Sequence, residues 1–336
     1  DENFTPLHVK EFSITAGSRI MVEDIEALML VTDLGTSEFN PAEEDFFSNY
    51  LHRTYVEADE FTGVGQQISL VNQSGEALPH VDIDAVRKLK TGDTEVGEAH
   101  YTQLLFTADG IEGGKGSINL GYLLSELNAY ENQTIGISNH AGGSEFDALL
   151  SGKGGFTFVA ADSEPIILTH SNTYTGDTIV NQGKVILGND QALGGVDKEA
   201  QTGQLILNGG RVDLSGVDSK GVTQDVYSVQ SKEGTVLDLA RGTLNIDNGK
   251  PVNDKYRESH LYGEIKGDGE LNIYQGAVTL HNQNNDLSAD IGVFYNSSLT
   301  LKDVQSAGSS AIKLGKSAEL NLEGEGVFDN TVTGDE

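Results

Sequence analysis

The hydrophobic residues of this sequence occur in short alternating runs, separated by small polar residues. Segments such as TVLDLARGTLNID (235–247) and GELNIYQGAVTLHN (269–282) consist of two short apolar runs around a tight corner. Apolar residues recur at every second position, which is the period of a strand that buries one face. The alternating pairs are Leu237/Leu239, Leu244/Ile246, Leu271/Ile273, Leu299/Leu301 and Leu320/Leu322. The pattern predicts short β-strands over the second half of the chain.

These strand pairs also repeat along the sequence. Towards the C-terminus they recur about every 20 residues, a spacing typical of solenoid repeats. Most corners lack the Asn-Gly or Asp-Gly pairs that two-residue β-hairpins favour. If each unit is one coil, equivalent strands lie parallel in neighbouring coils, and each backbone N–H meets a carbonyl of the next coil. We therefore predict an all-β fold, a parallel three-stranded β-helix with loop excursions, in which Gly, Asn and Asp turn the corners.

The first 95 residues differ from the rest. Apolar residues in 17–34 have a partly helical spacing, and 41–61 is rich in acids and aromatics. The segment VDIDAVRKLK (81–90) is predicted to be one strand with Val81, Ile83 and Val86 facing inward. We expect 1–95 to form an N-terminal cap and early coils, with an excursion at about 35–62, and 96–336 to form regular coils. A separate small N-terminal domain is the alternative.

Composition and charge exclude several classes of function. The chain has 52 acidic and 21 basic residues, for a net charge of −31. Nucleic acids and anionic membranes attract proteins through Lys and Arg, so we expect this chain to bind neither. It has no cysteine, which excludes disulfides and thiolate metal sites. The acidic start DENFTP is not a signal peptide, so we expect any targeting segment to have been removed.

One stretch resembles a known family. NTYTGDTIVNQGKVILGNDQALGG (172–195) is similar to the strand repeat of Gram-negative autotransporter passenger domains, and 100–158 resembles the coils that precede it in AIDA-type autotransporter adhesins. The resemblance is specific over about 97–195, and the same spacing of short strands continues to residue 336. It implies a right-handed β-helix that is exported across the outer membrane and displayed on the cell surface. Adhesion, self-aggregation, biofilm formation and virulence are the implied functions. The G-D-S-G type motif of related protease passengers is absent.

A group of aromatic residues is the first candidate for ligand binding. It comprises Phe46, Phe47, Tyr50, Tyr55 and Phe61, all within one acidic stretch. Aromatic rings beside acids stack on sugars or anchor a protein partner. The alternative is that these rings pack the excursion onto the rod.

The segment 81–90 holds two further candidates. Arg87, Lys88 and Lys90 form a basic cluster that either grips a sulfated glycan or balances neighbouring acids. Asp82 and Asp84 point to the same side of a strand, as paired carboxylates for acid–base chemistry or Ca²⁺ do. Two solvated acids on an outer face are the simpler interpretation. The eight histidines are scattered and include no H-E-x-x-H motif, so we expect surface or corner residues, with no pair placed to ligate zinc.

These observations favour a non-enzymatic cell-surface adhesin passenger. It would adhere to host glycans or matrix proteins, or self-associate, through many weak polar contacts along the rod. A β-helical polysaccharide-degrading enzyme that uses Asp82 and Asp84, and a spacer stalk, are the alternatives. We expect no cofactor beyond weakly bound Ca²⁺, and no insertion of this segment into a membrane. Because two strongly negative rods repel each other, clumping is expected to strengthen with Ca²⁺ or moderate salt.

Overall fold

The protein is a parallel β-solenoid preceded by a mixed β-sheet. The computed structural model describes residues 6–21, 36–38, 50–63, 68–78, 81–139, 145–161, 163–248 and 258–334. Among these residues the regular secondary structure is β-strand only. They contain no helix of the length and apolar character needed to cross a membrane. The predicted all-β parallel β-helix is confirmed.

The N-terminal part consists of long strands rather than short coils. Its mixed sheet contains β1 (Leu7–Ser13), β3 (Thr36–Glu38), β4 (Tyr50–Thr62), β7 (Val81–Thr91), β8 (Thr94–Gly110) and β9 (Gly114–Ala129). The spatial order is β1-β4-β9-β8-β7-β3, and β7, β8 and β9 form an antiparallel meander. A separate small sheet contains β2 (Arg19–Met21), β5 (Ser69–Val71) and β6 (Ala77–Leu78).

Three parallel sheets form the walls of the solenoid. Sheet I has nine strands: β10 (Thr134–Ser138), β13 (Gly155–Val159), β15 (Thr178–Gln182), β17 (Leu205–Leu207), β20 (Val229–Ser231), β23 (Glu258–Leu261), β26 (Ala277–Leu280), β28 (Ser298–Leu301) and β30 (Glu319–Leu322). Sheet II has six: β11 (Glu145–Phe146), β14 (Ile166–Leu168), β16 (Lys184–Leu187), β18 (Arg211–Asp213), β21 (Val236–Asp238) and β24 (Glu264–Lys266). Sheet III also has six: β19 (Thr223–Val226), β22 (Thr243–Asp247), β25 (Glu270–Tyr274), β27 (Asp290–Phe294), β29 (Ala311–Leu314) and β31 (Val332–Gly334).

One strand joins the mixed sheet to the solenoid. The last residues of β9 pair in parallel with β12 (Leu149–Gly152), and Leu127 is in register with Leu150. The sequence-based division places regular coils from residue 96, yet β8 and β9 pair antiparallel as far as Ala129. The strand pairing therefore puts the first strand of sheet I at Thr134.

Inward side chains stack in register and form a continuous core. In sheet III, Leu244, Leu271 and Ile291 are paired across three successive coils and are at most 1% exposed. Burial of each such side chain contributes about 1.5–3 kcal/mol. The predicted inward pairs are fully buried from Leu237 to Leu301, whereas Leu322 in β30 is 45% exposed. No described strand packs beyond β30 in sheet I, which explains the exposure of Leu322.

Buried asparagines tie neighbouring coils together at the corners. Asn284 accepts a hydrogen bond from the Ile265 N–H (2.8 Å) and donates one to the Ser306 carbonyl (2.7 Å). Asn172 likewise accepts a hydrogen bond from the Leu150 N–H (2.8 Å) and donates one to the Ala192 carbonyl (2.7 Å). Each side chain therefore satisfies buried backbone groups of the coil below and of the coil above.

Charged residues on the outer face of sheet II neutralise one another across coils. Lys184 lies 2.8 Å from Asp213, Arg211 contacts both Asp213 and Asp238, and Lys266 lies 3.8 Å from Asp238. Burial acts to raise the pKa of Asp213, but hydrogen bonds from Lys184 and the Ser215 backbone outweigh it, so the pKa is lowered. The network therefore favours the ionised form of Asp213 in a strongly acidic chain.

Candidate functional site

The outer face of sheet III carries a polar ladder. Asp225, Asn245 and Asn272 occupy equivalent positions in three successive coils. Asn272 donates a hydrogen bond to the Asn245 amide oxygen (3.1 Å), and Asn245 donates one to the Asp225 carboxylate (2.7 Å). The side chains are therefore aligned along the rod axis, and their orientation is set by these bonds.

Aromatic rings lie beside this ladder. Tyr274 and Phe294 are paired across adjacent coils, with ring centroids 5.3 Å apart and planes 19° apart. Tyr295 is 62% exposed, and its ring lies 6.2 Å from that of Tyr274. A Cβ at Gly292 would come within 2.3 Å of the Phe294 ring, so only glycine lets this ring lie against the sheet. Burial, together with nearby negative charges, raises the pKa of Tyr274, and its hydroxyl remains a hydrogen-bond donor at neutral pH.

Two clefts open on the same face. One, of ≈ 370 Å³, is lined by residues that include Glu270, Asp290, Phe294 and Lys313. The other, of ≈ 350 Å³, is lined by residues that include Asp225, Asn245, Asp247 and Tyr274. Aromatic rings flanked by carboxylates and amides offer both an apolar stacking surface and hydrogen-bonding groups. We call the residues Asp225, Asn245, Glu270, Asn272, Tyr274, Asp290, Phe294, Tyr295 and Lys313 the sheet III face.

A histidine cluster lies at the corner that follows sheet I. It consists of His260 in β23, Tyr262 directly after that strand, and His281 directly after β26. His260 Nδ1 lies 3.1 Å from His281 Nε2, and the Tyr262 ring stacks on the His281 ring at 3.8 Å. Burial, together with the positive charges of His260 and Lys302, lowers the pKa of His281. Sequence spacing did not predict this pair, because 21 residues, the length of one coil, separate the two histidines.

The aromatic candidates from the sequence fall mostly outside what the structure describes. Phe46 and Phe47 lie outside the described residues, and so do the side chains of Tyr50 and Tyr55, which belong to β4. Phe61 is fully buried, with its ring stacked 6.0 Å from that of Phe12. Its ring therefore supports the mixed sheet and is not part of a surface.

The basic candidates lie on β7 and are engaged within the fold. Arg87 is buried, Lys90 is half-buried, and Lys88 bonds to both Glu98 and Tyr130. These hydrogen bonds, with that to Glu98 the larger effect, raise the pKa of Lys88. The charge of Lys88 is thus balanced by that of a neighbouring acid, Glu98.

The remaining expectations for β7 have mixed outcomes. The prediction of a strand at 81–90 is confirmed, but the inward orientation of Val86 is wrong, because this residue is 44% exposed while Leu89 is fully buried. Val86 lies three residues after Ile83, so a period of two counted from Ile83 selects not Val86 but Arg87 and Leu89, both of which are buried. Asp82 and Asp84 lie in the same strand, and their side chains are outside the described part. Among described residues, no group of three or more His, Asp or Glu side chains is arranged to hold a metal ion.

Sequence reasoning missed the sheet III face. Its aromatic residues are spaced by one coil, for example Tyr274 and Phe294, and so share a face only once the coil register is known. One signal was available in the sequence. An aromatic residue ends the sheet III strand in two successive coils, Tyr274 in β25 and Phe294 in β27.

Comparisons with known proteins give distant relatives. The uncharacterized lipoprotein YdeK of Escherichia coli (strain K12) is 25% identical over 260 residues, which cover 76% of this chain and 18% of the lipoprotein. The adhesin BmaC autotransporter of Brucella suis biovar 1 (strain 1330) is 28% identical over 233 residues, 55% of this chain and 6% of the adhesin. The uncharacterized protein YuaQ of E. coli (strain K12) is 24% identical over 255 residues, 74% of this chain and 17% of that protein.

These relatives are much longer than the chain, which spans less than a fifth of each. No protein-family model matches the sequence, and no solved structure matches it significantly. An autotransporter adhesin and a lipoprotein among the relatives indicate a cell-envelope or surface location. They are compatible with an adhesin passenger, without singling out the AIDA-type group.

Proposed function

We propose that this chain is a segment of a non-enzymatic adhesin passenger, displayed on the surface of a Gram-negative bacterium, and that its sheet III face binds a glycan. The parallel β-solenoid and the distant similarity to an autotransporter adhesin support the passenger assignment. The alignment of stacked rings with amide and carboxylate ladders is the observation that carries glycan binding.

The dimensions of this face suit an extended chain ligand. Asp225 and Lys313 lie on strands that are four coil rises apart, or about 19 Å at the usual spacing of paired strands. Rings and polar groups along this length offer several weak contacts in series, and such contacts add up when one ligand chain meets them all.

The test is binding of the chain to a panel of glycans and matrix proteins. The chain is displayed on a non-adherent bacterial strain, and Tyr274→Ala/Tyr295→Ala is compared with Tyr262→Ala. Tyr262 is also exposed but lies at the corner after sheet I, so it serves as the matched control. We expect the double variant to bind its glycan about tenfold or more weakly, since exposed aromatic anchors carry much of a binding energy.

Three results would contradict this assignment. They are equal glycan binding by both variants, binding of matrix proteins alone, and turnover of a polysaccharide by the purified chain. The control variant must keep the affinity of the unmodified chain, and display levels are matched by an epitope tag.

Self-association is the second candidate function, because the same ladders are able to meet those of another rod. The net charge of −31 opposes that contact, so settling of displaying bacteria should accelerate with Ca²⁺ or moderate salt. Settling that slows steadily as salt is added would count against rod-to-rod contact.

A further inference from the structure

The histidine cluster brings two imidazole nitrogens to a distance that suits a metal ion. His260 Nδ1 and His281 Nε2 lie 3.1 Å apart, on adjacent coils. An imidazole nitrogen binds Zn²⁺ at roughly 2.0–2.1 Å, so two such ligands at angles of about 90–110° are themselves roughly 2.9–3.4 Å apart. The observed separation falls within this range.

We infer that His260 and His281 form a two-histidine site for a divalent transition metal, with water completing the coordination. In the metal-free protein, the same two nitrogens share one N–H···N hydrogen bond. A metal ion would take the place of the shared proton, which moves through solvent to the other nitrogen of the donating ring, so that two neutral imidazoles bind the ion and no net proton is released. This inference is independent of the proposed glycan binding, because the two sites lie on different faces.

The surroundings hold both rings in place. Glu258 lies 3.3 Å from the other nitrogen of His260, and ligating histidines usually give their second N–H to such a carboxylate. The Tyr262 ring stacks on His281, and the His281 backbone N–H donates to the Leu261 carbonyl (2.9 Å). The ring orientations are therefore fixed by the fold before any metal arrives.

The local charge also permits a cation. Lys302 occupies the position of His281 in the next coil, where it contacts Glu323. This ion pair offsets the positive charge next to the site. The side chain of His260 is 35% exposed, so the open coordination positions face solvent.

The ligand set determines which metal binds best. Imidazole suits Cu²⁺, Zn²⁺ and Ni²⁺, and among these Cu²⁺ forms the most stable complexes. Ca²⁺ and Mg²⁺ prefer oxygen ligands and do not compete for the two nitrogens. Because only two protein ligands contribute, the bound ion dissociates readily into solvent and does not act as a structural metal.

The experiment is a Cu²⁺ titration of the 336-residue chain in excess Ca²⁺, which occupies surface carboxylates. Calorimetry gives the affinity, and electron paramagnetic resonance counts the nitrogens bound to copper. His260→Gln and His281→Gln are compared with His170→Gln, which changes an exposed histidine near the start of the solenoid. Glutamine keeps a hydrogen-bonding group at each position, and circular dichroism verifies the fold of every variant.

We expect one Cu²⁺ with a two-nitrogen signal in the unmodified chain and in His170→Gln. Each cluster variant should lose one nitrogen from the signal and bind Cu²⁺ about tenfold or more weakly, since even an outer ligand partner matters by that much. A two-nitrogen signal that survives both cluster substitutions, or no nitrogen-bound copper in the unmodified chain, would overturn the inference.

Discussion

Replacement of Asn284 by alanine should destabilise the solenoid far more than any other single amide substitution in its loop. The side chain is 1% exposed and bridges the Ile265 N–H to the Ser306 carbonyl. Alanine lacks the amide group and so removes both hydrogen-bond partners. Two buried backbone groups thus lose their hydrogen bonds at once.

The magnitude follows from the number of groups affected. Each buried group that loses its partner costs about 1–3 kcal/mol, so the loss of two partners in Asn284→Ala should lower the unfolding free energy by about 2–6 kcal/mol. Asn285 is the matched control, because it is exposed and adjacent, and Asn285→Ala should cost within about 0.5 kcal/mol. Asn172→Ala should resemble Asn284→Ala, since it makes the same two-way bridge in an earlier coil.

Urea unfolding and amide hydrogen exchange are the assays. Unfolding gives the loss of free energy, and exchange of the Ile265 N–H reports whether the loss begins at this corner. A cost for Asn284→Ala no greater than that of Asn285→Ala would refute the idea that corner asparagines hold the coils together.

Two further predictions concern charge and backbone. The pKa of Asp213 is lowered in the fold, so its ionised form adds stability that is lost as pH falls below about 4, through the folded pKa. Asp213→Asn should therefore be less stable at pH 7 and show a flatter pH dependence in urea unfolding; parallel curves would contradict this. Gly221 and Gly234 both have φ above +80°, but only at Gly221 would a Cβ strike backbone, at 2.4 Å from Arg241. Gly234→Ala should lower the unfolding free energy by about 1–2 kcal/mol, because alanine is strained in this backbone conformation. Gly221→Ala should lower it by at least about 1 kcal/mol more, because its Cβ also meets the neighbouring coil, and thermal or urea unfolding measures both losses. Equal losses would show that neighbouring coils move apart easily.

The period of two was sufficient to predict the strands of the solenoid, because burial in each strand depends on local alternation, and the recurrence of strand pairs about every 20 residues predicted that these strands stack as coils. Leu244 and Ile246 are both fully buried, as the period of two requires. The prediction for Val86 departed from this rule, since a period of two counted from Val81 and Ile83 selects Arg87 and Leu89, and these two residues are buried. An apolar side chain does not by itself indicate an inward position, because apolar residues also occur on protein surfaces.

The candidate sites were harder to predict than the fold. His260 and His281, and likewise Tyr274 and Phe294, meet only because successive coils stack in one particular register. Coils in this chain differ in length, so residues about 20 positions apart share a face only where no loop intervenes. Contacts of this kind follow from three-dimensional stacking rather than from any local motif.

The double pairing of β9 has a consequence for how the protein keeps apart from other chains. One edge of this strand is divided: β4 pairs with it up to Leu123, and β12 pairs with Glu126–Ala129. Without β9, the strand Leu149–Gly152 would expose a row of unpaired N–H and carbonyl groups, which is a template for fibril-like addition of foreign strands. By pairing with β12, the last strand of the antiparallel meander thus covers a strand edge that would otherwise be open at the start of the solenoid.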